Sequence, residues 1–113
     1  MKVAVFAFQP KEGATTRVAN SATATPGVAL PYDCDTVVLT NSSTTATVFV
    51  RVTQFLDSTL PADAAANAPT VTTDMPILPN SQIRRAVGEG NKMIRTIASS
   101  ADGFIYITPG TGV

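Results

Sequence analysis

Large apolar side chains in this chain fall in short runs rich in β-branched and aromatic types, separated by clusters of Gly, Pro, Asn, Asp and Ser. Runs of that length with that punctuation belong to an all-β domain. They predict strands near Val3–Phe8, Thr15–Ala19, Thr36–Asn41, Ala46–Phe55, Ser81–Val87, Met93–Ser99 and Gly103–Thr108. Strands this short and frequent imply one β-sandwich over residues 1–113, jelly-roll-like in arrangement. The best helix signal is the Pro-started, Ala-rich stretch Pro61–Ala66, of at most about two turns.

The run from Ala46 to Phe55 shows the clearest alternation. Val48, Val50 and Val52 fall on one face, and Thr47, Phe49, Arg51, Thr53 and Phe55 on the other. Period two sends the valines into a core. The second face places two phenylalanines around Arg51, either as a packing layer over the arginine stem or as a contact patch. In the run Val3–Phe8 both faces are apolar. That pattern fits a central strand, and it also fits a strand that completes another surface. Hairpin turns are predicted at Asn41-Ser42-Ser43-Thr44 and Ala101-Asp102-Gly103, with a further turn at Gly88-Glu89-Gly90-Asn91. The segment Leu56–Met75 is Ala-, Thr-, Asp- and Pro-rich with few large side chains, and reads as a long irregular loop or arm around 56–75. Asn20–Pro31 has a similar character. No internal repeat is visible.

Charge changes the picture of the surface. Only 14% of residues are charged, below the roughly 25% of an average soluble domain. Ser and Thr together supply 24 residues, so much of the surface is polar but weakly hydrated and inexpensive to dry on docking. Net charge is zero, which gives no bulk field for nucleic acid or an anionic membrane. The single cysteine, Cys34, cannot close an internal disulfide, which favours folding in a reducing cytoplasm. The apolar run after Met1-Lys2 is short for a signal-peptide core. No stretch approaches the ~20 apolar residues of a membrane helix.

Candidate chemistry is thin. There is no histidine, which removes His-dependent triads and bases and most transition-metal sites. Cys34 lies between Asp33 and Asp35, whose charges suppress a thiolate. That aspartate pair has no acidic neighbours to complete the roughly six to eight ligands of calcium, and reads as a turn. Gly88-Glu89-Gly90-Asn91-Lys92 lacks the Ser or Thr that follows the lysine of a phosphate-binding loop, and a tight turn accounts for both glycines. No carboxylate pair is singled out for glycoside hydrolysis, and the absence of Trp argues against a sugar-stacking platform. Enzymatic activity, cofactors and metals are not expected. Arg84 and Arg85 point to opposite faces of one strand, so only one can share a surface with Arg95; a basic contact and ordinary exposed arginines both fit.

From Met75 the chain reads Met75-Pro76-Ile77-Leu78-Pro79-Asn80-Ser81, then Met93-Ile94-Arg95-Thr96-Ile97-Ala98-Ser99, and closes Phe104-Ile105-Tyr106-Ile107-Thr108-Pro109-Gly110-Thr111-Gly112-Val113. This last third resembles short virion proteins of tailed bacteriophages, and at this length most of all their capsid decoration (cement) proteins. The resemblance implies a β-sandwich or jelly roll on the outer shell of a head, clamping neighbouring major capsid protein subunits. It further implies homo-oligomers, a dimer favoured over a trimer, made in the host cytoplasm, with no nucleic-acid or membrane partner. The alternatives are a tail, connector or fibre-base component and a carbohydrate-binding module for a host receptor. The contact residues expected from exposure and type are Phe6, Phe8, Phe49, Arg51, Phe55, Leu60, Arg84, Arg85 and Arg95.

Overall fold

A computed structural model describes residues 8–25, 27–31, 33–54, 68–88 and 92–112. Within them the chain forms strands and no helix. The strands are β1 (Gln9–Pro10), β2 (Thr16–Ala19), β3 (Val28–Leu30), β4 (Thr36–Asn41), β5 (Val48–Gln54), β6 (Met75–Ile77), β7 (Gln82–Ala86), β8 (Lys92–Ala98) and β9 (Phe104–Thr111). One sheet is five-stranded: β1 and β2 both lie along one edge of β9, followed by β4 and then β7. The other is four-stranded, in the order β3-β8-β5-β6. Every pairing is antiparallel.

The pairings nest. β2 pairs with β9, β3 with β8, β4 with β7 and β5 with β6. The strand order is therefore that of one long ribbon doubled back on itself between β5 and β6. Contacts of β4 with β9 and of β5 with β8 close the ribbon into two sheets.

Period-two alternation places the core between the sheets. Val48 and Val50 of β5, Ile94 of β8, Val37 and Leu39 of β4, and Ile105 and Ile107 of β9 are buried there, with Ile77 of β6 beside them. Each such side chain contributes roughly 1.5–3 kcal/mol when withdrawn from water. The valine face predicted for β5 is thus the inner face, although Val52 at its end is only half-buried.

The predicted hairpins are correct in position and wrong in kind. β4 and β8 lie in different sheets from β5 and β9 respectively, so residues 42–47 and 99–103 carry the chain between layers. These two corners are stitched to each other. Ser43 Oγ and Thr45 Oγ1 both donate to Asp102 Oδ2, at 2.6 and 2.9 Å. Buried Asn41 donates from Nδ2 to the Ala46 and Ile77 carbonyls at 2.8 and 3.1 Å. Asn20 Nδ2 reaches the Asp102 carbonyl at 2.8 Å. Gly103 has φ of +75°, and a Cβ there would lie 2.7 Å from Ser43 Cα, so the corner requires glycine. β7 and β8 likewise lie in different sheets, and the turn predicted at Gly88-Glu89-Gly90-Asn91 lies, apart from Gly88, outside the described residues.

Three strands lie where none was predicted: β1, just beyond the predicted Val3–Phe8, and the edge strands β3 and β6. β3 falls inside Asn20–Pro31 and β6 straddles the end of the 56–75 segment. Both are three residues long and both are sheet edges. Pro76 sits in the middle of β6, opposite Phe49, a position tolerated because only one side of an edge strand needs donors. The helix predicted at Pro61–Ala66 lies outside the described residues, as do residues 3–7 of the predicted first strand.

Candidate protein-contact surface

Each sheet turns one face to the core and the other outward, and the two outward faces differ. On the four-stranded sheet the outward positions are Phe49, Arg51 and Thr53 of β5, and Met93, Arg95 and Ile97 of β8. Met93 is 1% exposed and Arg95 5%, although both point away from the core. Arg95 Nε donates to the Thr25 carbonyl at 2.9 Å. Thr25 runs beside β8, its N–H donating to the Thr96 carbonyl at 2.9 Å. Arg51 lies directly opposite Arg95. Its Nε donates to Asp74 Oδ1 at 2.9 Å, with the two side chains 28% and 11% exposed. Burial works against ionisation of Asp74. Hydrogen bonds from Arg51 and from the Thr70 N–H, with the nearby charges of Arg51 and Arg85, outweigh it and hold the carboxyl below its ordinary value. Two like charges side by side would repel; here one is matched by a carboxylate and the other by a carbonyl.

The outward face of the five-stranded sheet is the more exposed of the two among the described residues. Register places Arg17, Tyr106, Thr40 and Gln82 in one row across β2, β9, β4 and β7. The next row holds Thr108, Val38 and Arg84. Arg17, Gln82 and Arg84 are exposed, while Val38, Thr40, Tyr106 and Thr108 are half-buried. The Arg17 guanidinium lies 4.4 Å from the centroid of the Phe104 ring, itself 36% exposed. Phe8 rests on Gly110, where a Cβ would come within 2.7 Å of its ring. With Val38, Gln82, Ile83 and Arg84 it lines an open cleft of about 360 Å³.

Of the expected contact residues, Phe8 and Arg84 come together at this cleft. Arg85 turns away from Arg84, as alternation requires, and borders a different cleft of about 250 Å³ with Val52, Thr53, Ala86, Val87 and Lys92. Phe49 and Arg51 lie on the opposite sheet. Arg95 does not present a surface: it is an internal group bound to backbone, a correction to its expected exposure. Phe6, Phe55 and Leu60 lie outside the described residues. Sequence reasoning passed over Arg17, Val38, Phe104 and Tyr106. The alternation Phe104-Ile105-Tyr106-Ile107 carried the signal for two of them, since it puts both rings opposite the buried isoleucines.

Cys34 is buried at the end of the sandwich. Burial, then the charge of Asp33, raises its thiol pKa, and Lys11 opposes them only in part. Asp102, held by the Ser43 and Thr45 hydroxyls, has a carboxyl below the ordinary value. Among the described residues no three His, Cys, Asp or Glu side chains converge to hold a metal, and no helix is long and apolar enough to cross a membrane.

Comparison with protein-family models, with curated proteins and with solved structures finds no match. The phage likeness rests on the residues of the C-terminal third alone.

Proposed function

We propose that this chain is a non-enzymatic structural protein of a tailed-phage particle. It decorates the outer surface of the head and clamps neighbouring major capsid protein subunits. The observation that carries this reading is the nested pairing β2·β9, β3·β8, β4·β7 and β5·β6, in which consecutive strands from β2 onward alternate between sheets except at β5–β6. We infer from it a jelly roll, an architecture used in viral shells. The low charge density and the open outward face of the five-stranded sheet support extensive protein contact.

In this reading the protein acts without cofactor, nucleic acid or membrane, and as a homo-oligomer, most simply a dimer. Each copy buries on the order of 1,200–2,000 Å² against its neighbours. A copy that bridges two subunits prefers the assembled lattice to free subunits, because the second contact is made at high effective concentration. The test is co-sedimentation of purified protein with undecorated heads and, separately, with free capsid subunits. Saturable binding to heads in hundreds of copies is expected. Absence from the head, or a stoichiometry of six or twelve per particle, rejects decoration in favour of a tail or connector role.

A further inference from the structure

We propose that the outward face of the five-stranded sheet docks a protein surface bearing carboxylates, held at two points by Arg17 and Arg84. This rests on the reading as a protein-binding module and assigns the face and the partner's chemistry.

Charge is the first argument. β1, β2, β4, β7 and β9 contain no Asp or Glu, so nothing on these strands neutralises their outward arginines. Among the described residues no hydrogen bond or ion pair engages the Arg84 guanidinium, and Arg17 meets only the Phe104 ring. The contrast with Arg51 and Asp74 on the other sheet is direct: there the chain supplies its own carboxylate, and here none of the described residues supplies one.

Spacing is the second. Arg17 and Arg84 lie three strands and two residues apart in the ladder. At ~4.8 Å between strands and ~3.4 Å per residue, their Cα atoms are on the order of 16 Å apart. Between them lie Tyr106, Thr40, Val38 and Thr108, half-buried and uncharged. An aromatic and aliphatic centre with arginines at its margin is the composition of a protein-binding patch. Two isolated cations are too few for nucleic acid, whose affinity grows with the number of phosphates neutralised. A second copy docked face to face brings no carboxylate on these strands to meet the arginines, so the occupant is a different, acidic surface.

The test combines two arms. In the first, isotope-labelled protein is titrated with hexaglutamate and, separately, with a short DNA duplex, and amide shifts are followed by NMR. Hexaglutamate should shift residues of β2, β4, β7 and β9, and the Arg17→Gln/Arg84→Gln double variant should lose those shifts while keeping its folded spectrum. Shifts centred elsewhere, no shifts, or a stronger response of the same face to DNA overturn the proposal. In the second arm, undecorated heads are mixed with wild type, with Arg17→Glu/Arg84→Glu and with Lys11→Glu. The double reversal should weaken binding by about tenfold or more, and Lys11→Glu should leave it within about twofold. Full binding by the double reversal removes this face while decoration stands. No binding even by wild type removes decoration, and the hexaglutamate arm then decides the face alone. Concentration-dependent self-association that the double reversal abolishes assigns the face to a second copy and overturns the proposal.

Discussion

Arg95 and Arg84 occupy equivalent places: each is an outward residue of a strand, on opposite sheets. Arg95 is buried beneath neighbouring chain and bonded to the Thr25 carbonyl, while Arg84 stands in solvent at the rim of a cleft. Alternation decides which way a side chain leaves a sheet. It does not decide whether that direction leads to water. That second outcome is set by whether another part of the chain crosses the face, as the segment around Thr25 does and as Thr70–Asp74 does through Arg51.

The comparison can be broken at its largest difference. Truncating Arg95 to Ala should destabilise the protein by about 3 kcal/mol, because it removes packing and leaves the Thr25 carbonyl short of a donor. Arg84→Ala should change stability by less than about 0.5 kcal/mol. Urea titrations of the two variants measure both, and equal effects would erase the distinction between the faces.

Next in size is the clamp at Asp74. Asp74→Asn should cost about 1–2 kcal/mol at neutral pH, a partly buried pair lying above the range of exposed ones. The pH dependence has a definite sign. The folded-state pKa of Asp74 is depressed, so its contribution is complete above the unfolded value, about 3.9, and is lost as pH falls through the lower folded value. Wild type should therefore lose stability on acidification below about pH 4 more steeply than Asp74→Asn, as read from thermal midpoints across that range.

On the open face the effects should be smaller. Phe104→Ala removes the ring beneath Arg17 and should cost about 0.5–1 kcal/mol in a chemical melt. Smallest is the Lys11–Asp33 pair, at 3.4 Å between side chains 46% and 72% exposed. Lys11→Ala should shift the urea midpoint hardly at all, and a shift as large as that of Asp74→Asn would upset the ranking.

Legibility in the sequence follows the same division between local and non-local causes. β4 was readable to the residue, since Thr36–Asn41 combines β-branched side chains with turn residues on both sides. β9 runs past its expected end at Thr108 to Thr111, through Pro109 and Gly110, which local rules treat as strand breakers. β3 and β6 were hidden because three residues give no periodicity, and their status comes from pairing with β8 and β5. Turn chemistry marked the corners at 42–47 and 99–103, but a turn signal specifies a reversal and not the layer the next strand joins. Arg51 and Arg95 looked like surface groups because the carboxylate of Asp74 and the carbonyl of Thr25 are distant in sequence. The open face was partly readable from the alternation in β9, yet its lack of carboxylates became meaningful only once β2, β4, β7 and β9 were aligned in one sheet.

The nested strand order also governs when the fold can be made. β9 is the last strand in chain order, yet it is the strand to which β1, β2 and β4 all bind, and it brings Ile105 and Ile107 into the core. During synthesis β1 and β2 emerge well before β9 and have no partner in their own sheet until it follows, whereas β4 can already pair with β7. With most contacts long-range in sequence, folding proceeds in milliseconds to seconds rather than microseconds. A chain that stops short of β9 lacks the centre of one whole layer.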